Sequence, residues 1–562
     1  MTEHRDLSSH DRAPEQETPA AVSRRSFLTK GAAAGVGAAA LTAAAAPDVH
    51  AQGAMQWDQT ADVVIVGAGV AGLPAAITAR DLGASVIVVE ENFDIGGRGM
   101  LSGGRVQLGG GHPLQQKFNI KDSADQVFLD WVRFDDGESR YSDRDLVRVY
   151  ADENASTYQF LIDNGVEFIE KPIGPVDAST VPRIFVTKEW HIPAEVIAPH
   201  RGRNGSGLVR RLAESARKKG AQILLKHKML RLVREQPTSG KVLGIVVQNG
   251  DRAINIRATK GVIIATGGHT GNVEFRRMFD PRLTEEYQQA CQPYVYQNAD
   301  GELAAMDIGA SLWATAIQTT ETGAAITKTR HIGCRWGYAT LVYEPDSVMF
   351  PQAKATGLTV KDWQDIIMVN QFGKRFWNEA DSSYAFFNAA MAYNGDKTKL
   401  NGGGPIWAIF DADAVTREKW DPKPPHVDPD GFFFSADTLE ELAGKIKNAH
   451  QKQAMPGAAL TEAVSRYNSF VADGADKDFK KPTPMHKIEK PPFYAAWATP
   501  ILHDTLTGLR TNTRGEVIDT RGKVIPSLYC AGETQGGFAQ HGLARCVVFG
   551  RVAARHCASH AT

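Results

Sequence analysis

The chain is poor in long apolar runs, in cysteine and in net charge. Beyond its N-terminal segment, no window of the 562 residues approaches the ~18 apolar residues that a membrane-crossing helix needs. The mature protein is therefore expected not to span a membrane. Cysteine is limited to Cys291, Cys334, Cys530, Cys546 and Cys557, an odd number at wide spacings. No C-x-x-C occurs, which argues against a redox pair or a zinc knuckle, and no C-x-x-C-H occurs to attach a c-type haem. The five read as small buried hydrophobes, and no metal site is predicted. Neither sign of charge is in excess: Lys and Arg number 63, Asp and Glu 64, for a net charge of -1. No nucleic-acid or anionic-membrane partner is implied. Internal repeats of 20 to 50 residues are absent. What is abundant is glycine, 53 residues, which suits tight turns or a nucleotide fold in a chain long enough for two to four domains.

The most informative stretch is Asp62 to Glu90, DVVIVGAGVAGLPAAITARDLGASVIVVE. Val63-Val64-Ile65-Val66 reads as a strand buried on both faces. It ends in Gly67-Ala68-Gly69-Val70-Ala71-Gly72, a G-x-G-x-x-G, and an apolar-periodic helix runs on to about Leu82. Pro74 falls in the first helical turn, where its missing N–H costs nothing. A second strand, Ser85 to Val89, leads to Glu90, 18 residues after Gly72. Gly67 would make the tight turn and Gly69 would admit a pyrophosphate to the backbone. Gly72 would let helix and strand pack closely, and the helix N-terminus would offer free N–H groups. Glu90 can accept from both ribose hydroxyls. The motif alone does not separate FAD from NAD.

Met1 to Ala21 is polar and rich in charge and proline, and reads as a disordered leader. Ser23-Arg24-Arg25-Ser26-Phe27-Leu28-Thr29-Lys30, with the weakly apolar Gly31 to Ala46, resembles a twin-arginine export signal. Val49-His50-Ala51 offers a cleavage site, so a periplasmic protein starting near Gln52 is expected. Past the dinucleotide unit, two glycine pairs, Gly96-Gly97 and Gly103-Gly104, would let backbone pass close to a flat ring or a pyrophosphate. Helical periodicity covers Tyr141 to Asn164 and Gly207 to Lys219. Strands are predicted at Gln222 to Leu225, Lys241 to Gln248 and Gly261 to Ala265, the last ending in Thr266-Gly267-Gly268. A helix is predicted from Asn298 through Ala310. Between Glu321 and Ile488 the α/β alternation loosens and aromatics accumulate, among them Trp336, Tyr338, Trp363, Trp377, Tyr384, Phe386, Phe387 and Trp407. This region reads as an inserted second domain, with Arg417 to Asp430 as a surface excursion. The C-terminal part returns to α/β character, with a short strand at Val517 to Asp519 and a last helix from about Gly542.

The ordered set VGAGVAGLPAA, VVEE, GG…SGG, GLVRRL, ATGG, NADGE, VNQFGKRFWNE, TGLRTN and IPSLYCAGE…GL…VFGRVA resembles the fumarate reductase/succinate dehydrogenase flavoprotein superfamily. The resemblance covers nearly all of the mature chain. It implies an α/β fold: a discontinuous Rossmann-like FAD-binding domain (52–320 and 489–562) with an inserted α+β capping domain (321–488) after a signal peptide (1–51). Carried over, Gly67, Gly69, Ala71 and Gly72 face the pyrophosphate, and Glu90 the adenosine ribose. Gly97, Ser102, Gly103 and Gly104 lie near pyrophosphate and flavin. Met229 meets the adenine, and Thr266 and Gly267 flank the adenosine side. Glu533 reaches the ribityl. Gly542 and Leu543 open a last helix aimed at the flavin N1/O2 edge. The covalent-flavin histidine of succinate dehydrogenases has no match at Gly97-Arg98, and His112 falls a few residues too late, so non-covalent FAD is implied.

The chemistry implied is hydride exchange at the carbon β to a carbonyl, with proton exchange at the α carbon. It needs a donor on the carbonyl and an acid/base opposite the flavin. Fumarate reductases supply an arginine shortly after the motif matched by VNQFGKRFWNE. Here that place reads Ala380-Asp381-Ser382-Ser383-Tyr384. A second family arginine, before the last helix, is unmatched in Phe538-Ala539-Gln540-His541, and Glu321 stands where the early cap has a histidine. His503 matches a substrate-site histidine. Candidate catalytic residues are therefore Tyr384, His503, His541 and Arg545, each with a plain structural alternative. Arg375 reads as a structural partner of Glu379. A dicarboxylate wants paired cations, so fumarate is not the expected substrate. The ending looks more like tricarballylate- and ketosteroid-dehydrogenase branches, and the aromatics of the cap either line a ring pocket or form its core. The expected function is oxidoreduction of a C–C bond beside a carbonyl. The alternatives are a dehydrogenase or oxidase of a cyclic ketone or carboxylic acid, and a non-catalytic flavin electron-transfer module. Electrons would pass to or from a separate cytochrome, quinone or oxygen.

Overall fold

The computed structural model describes residues 55–133, 142–176, 179–193, 196, 203–314, 325–337, 341–381, 404–540 and 542–559. Tyr384, His541, Tyr338, Phe386, Phe387, Glu321 and the export signal lie outside them. Residues Gln56–Thr562 pack as one unit.

The strand Gln59–Val66 is the centre of the main sheet, and Val63, Val64 and Ile65 are fully buried on its two faces. Apolar residues on both sides of a strand demand cover above and below, which is the parallel, helix-flanked solution. Parallel neighbours are Val86–Glu90 on one side and Arg252–Ile264 on the other. Gln222–Leu225 extends the sheet beyond Val86–Glu90, and Val524–Cys530 extends it beyond Arg252–Ile264. Antiparallel additions are Glu516–Ile518 at one edge and the hairpin Lys228–Gln236/Ser239–Asn249, which joins through Arg252–Ile264. The sheet thus takes strands from both ends of the chain. The helices Gly72–Asp81 and Leu543–Ser559 pack against each other, and Ala71, Leu73, Ala544, Val547 and Val548 share one core with Val63 and Ile65.

A second sheet, antiparallel, comes from the middle of the sequence: Ile367–Asn370, Ile406–Phe410, Phe493–Trp497 and Phe433–Ala436, in that spatial order. One face packs on the helices Leu439–Lys445 and Gly457–Asp473 through Trp407, Trp497, Leu442, Leu460 and Tyr467. Of the described aromatics that hinted at a ring pocket, Trp363, Trp377 and Trp407 belong here instead, while Trp336 donates to Gln292. Trp407 is fully buried edge-on to Trp497 at 5.3 Å, and Trp363 and Trp377 pack on the opposite face. Period-two alternation sends the strand rings Trp407 and Trp497 into the sheet's own core, not into a cleft.

Three local readings change. The helix predicted through Ala310 ends at Met306, because Gly309 takes a left-handed φ of +97° and frees Ala310 to bridge Asp519. The stretch 417–430 is not wholly a surface excursion: it begins in the helix Ala412–Glu418, and Glu418, Val427 and Asp428 are buried. Glu418 accepts the backbone N–H groups of Lys361 and Asp362. The last helix starts at Leu543, one residue after Gly542.

Candidate active site

The carboxyl ends of the parallel strands open onto one cavity of about 1250 Å³. That is where a doubly wound sheet leaves a crevice for a nucleotide. At the end of the first strand Gly67 has φ +103°, and a Cβ there would sit 2.3 Å from the Ala265 carbonyl oxygen. At Gly72 a Cβ would lie 1.9 Å from the Gly67 oxygen, so this glycine serves helix–strand contact and does not line the cavity. Gly69 lines it, and nothing lies within 4 Å of where its Cβ would be. The same bare backbone recurs at Gly97, Gly103 and Gly542, all on the cavity wall. These open glycine faces, beside the N-termini of two long helices, form a cradle that fits a pyrophosphate and a flat ring.

Glu90 ends its strand with both carboxylate oxygens engaged, one by Ala68 N–H at 2.8 Å and the other by Asn92 N–H at 3.0 Å. Burial pushes its carboxyl above the ordinary range, with the two N–H donors pulling the other way. Ala71, Ser102, Met229, Thr266, Gly267, Glu533 and Leu543 also line the cavity. Gly104 does not: its φ is +66° and a Cβ would meet Thr187 Oγ1 at 2.5 Å. Its role is to hold the turn, its carbonyl accepting from Thr187 N–H at 2.9 Å.

Among the proposed catalytic residues, His503 lines the cavity, 30% exposed. Arg545 does not. It is buried, and its guanidinium donates to the Phe538 carbonyl at 3.1 Å and to the Gln535 carbonyl, tying down the loop before the last helix. The register of the last helix turns Arg545 inward, under the loop. His112, the other histidine weighed, caps the helix Pro113–Lys117 and stacks on Tyr158 at 4.2 Å. Burial lowers its pKa to about 4. Arg375 pairs with Glu379 at 2.7 Å and with Asp476 at 2.8 Å, over the Tyr467 ring beside the second sheet.

The wall also holds a cluster that sequence reasoning missed. Arg98 donates to Gln297 at 2.7 Å and Asp504 at 2.5 Å, and lies 3.2 Å from Glu533. Gln297 reaches the other Glu533 oxygen. Asp504 in turn lies 2.7 Å from His503 Nδ1. Burial pushes the Glu533 carboxyl up to about 7, against the pull of Arg98. Asp504 and Gln297 carry no local sequence signal of their own. Among the described residues, the fixed cations on the wall are Arg98, Lys228 and the exposed Arg105. Lys228 is 3.3 Å from both Glu91 and Asp300, so it and Arg98 are already neutralised.

Comparison with known proteins follows the same lines. A family described as the FAD binding domain matches residues 62–545. The cytochrome fumarate reductase of Shewanella frigidimarina is 28% identical over 514 residues, covering 89% of this chain and 77% of the relative. The 4-oxocyclohex-2-ene-1-carboxylate 5-dehydrogenase of Sinomonas cyclohexanicum is 26% identical over 583 residues, covering 88% and 93%. The open conformation of a flavocytochrome c3 fumarate reductase superposes with a TM-score of 0.63 at 25% identity, over 89% of this chain and 78% of that one. FAD is accordingly the cofactor that the glycine cradle, Glu90 and Glu533 would hold. The chain belongs to the FAD-binding-domain family, within the fumarate reductase/succinate dehydrogenase superfamily of FAD-dependent oxidoreductases acting on CH–CH groups.

Proposed function

We propose that the protein reduces or forms a C=C bond conjugated to a carbonyl in a substrate other than a C4 dicarboxylate. The observation that carries this reading is the state of the wall: His503 stands on it as a polar donor, while Arg98 and Lys228 are held by carboxylates. A dicarboxylate calls for two available cations, and among the described residues Arg105 is the one wall cation outside the ion pairs, one cation and not two. A neutral or singly charged carbonyl asks only for one donor. The relatives support the bond type, one named for fumarate reduction and the other for dehydrogenation of a cyclic enone carboxylate.

When bound, FAD supplies or accepts the hydride. The chain's own residues do the rest. The bare glycine backbones receive the cofactor, His503 polarises the carbonyl, and Tyr384 is the proposed proton carrier at the α carbon. In the reducing direction one hydride and one proton add across the double bond, and two electrons come from a separate cytochrome or quinone. In the other direction an acceptor such as oxygen, quinone or cytochrome removes them. Residues 321–488 act as the cap, and the twin-arginine segment sends the folded protein to the periplasm.

Replacing His503 by Ala, or Tyr384 by Phe, should leave FAD bound and lower turnover by about a hundredfold or more. Steady-state rates beside flavin content check this. Unchanged turnover in both variants would return the protein to a flavin electron-transfer role.

A further inference from the structure

The strand that carries His503 is irregular at that residue. Ile501–Asp504 pairs antiparallel with Ala325–Thr327, where Ala325 faces Asp504 but the next residue, Ile326, faces Leu502. His503 is the residue passed over. On the other flank, Gln288–Gln289 pairs only as far as Leu502. An extra residue in one strand is a β-bulge, which re-aims a side chain and interrupts the alternation of faces. In a regular strand His503 and Asp504 would point to opposite faces. Here Asp504 Oδ2 lies 2.7 Å from His503 Nδ1.

Asp504 is held in turn. Its Oδ1 accepts from Arg98 at 2.5 Å, and Arg98 is fixed by Gln297 and Glu533. Asp504 is nearly buried, whereas His503 is partly open to the cavity. Charge therefore runs from Arg98 through the carboxylate to one edge of the imidazole. A carboxylate beside Nδ1 keeps a proton on that nitrogen and sets the ring's orientation, so that the doubly protonated ring can donate to a carbonyl through Nε2–H on its far edge.

We propose that Asp504, anchored by Arg98, is a positioning residue that fixes the tautomer and orientation of His503 at the bulge. The proposal rests on the reading of His503 as the group that meets the substrate carbonyl. It adds a residue whose part is played through the histidine and not by touching substrate.

The test uses the FAD-loaded protein labelled with [15N]histidine, at a pH where the ring is neutral. His503 resonances are assigned by their loss in H503Q. In the unmutated protein Nδ1 should carry the proton. In D504A the proton should redistribute to Nε2, D504N should shift it the same way, and D504E should restore it. Turnover should fall at least tenfold in D504A while FAD content holds. An unchanged tautomer in D504A and D504N overturns the proposal, whatever the rate does. So does loss of FAD from both, which would make Asp504 a cofactor-site residue. Because the imidazole signal needs no substrate, it can fail while the C=C reading stands, and the converse also holds.

Discussion

Glu533 is an acid in surroundings that oppose its charge. Its folded pKa is raised from 4.5 to about 7, first by burial and then by Asp504, with Arg98 and Gln297 opposing. Between those two values the native protein keeps a proton that the unfolded chain has released. The stabilisation is thus full below about 4.5 and is lost as pH rises through about 7. The FAD-free protein should lose stability across that interval, and E533Q, with no proton to release, should lose less. Urea denaturation of both proteins at a series of pH values checks this; parallel curves would contradict it. The residue scale is also where the sequence was least legible. Arg98 and Asp504 are 406 positions apart and Gln297 and Glu533 are 236 apart, so no local pattern joins them. Arg545, within the first turns of the last helix, reads in sequence as a candidate for chemistry or as surface charge, but helical register, which sequence places only to within a residue or two, turns it inward to the loop.

At the scale of elements, the turn from Val66 into the helix Gly72–Asp81 separates two jobs that the glycine motif combines. Gly72 answers to packing and Gly69 to the ligand. Gly72→Ala should destabilise the fold by about 1–3 kcal/mol, because the new methyl meets backbone that has little room to give. Gly69→Ala should leave the melting temperature of the FAD-free protein unchanged and weaken FAD binding. Thermal melts and flavin titrations distinguish the two; equal melting losses would mean that Gly69 also packs. This unit was legible because each of its signals is local: β-branched run, glycine spacing, helix, acid at the next strand end. The aromatics around the second sheet are ambiguous in sequence for a physical reason. A ring on a strand faces a core or a cleft according to register, and Trp407 and Trp497 took the core.

For the whole molecule, the export signal and the reaction make separate claims. If Ser23–Lys30 directs twin-arginine export, the processed chain should be found in the periplasm, beginning near Gln52, and replacing Arg24 and Arg25 together by Lys should keep it in the cytoplasm. Fractionation with N-terminal sequencing reads this directly. Of the two-part sheet, Val63–Val66 is legible from its β-branched run, whereas the strand Val524–Cys530 is not, and its place in a discontinuous domain comes from the resemblance alone. The central claim is oxidoreduction of a C–C bond beside a carbonyl, and the most direct test is anaerobic. The purified holoprotein is reduced with dithionite and offered unsaturated acids, enones and cyclic enones in turn, while oxidised protein is offered their saturated counterparts. The account predicts that a conjugated carbonyl restores the oxidised-flavin absorbance band, or that its saturated partner bleaches it, and that fumarate does neither. Silence across both series, or rapid reoxidation by fumarate, would contradict it.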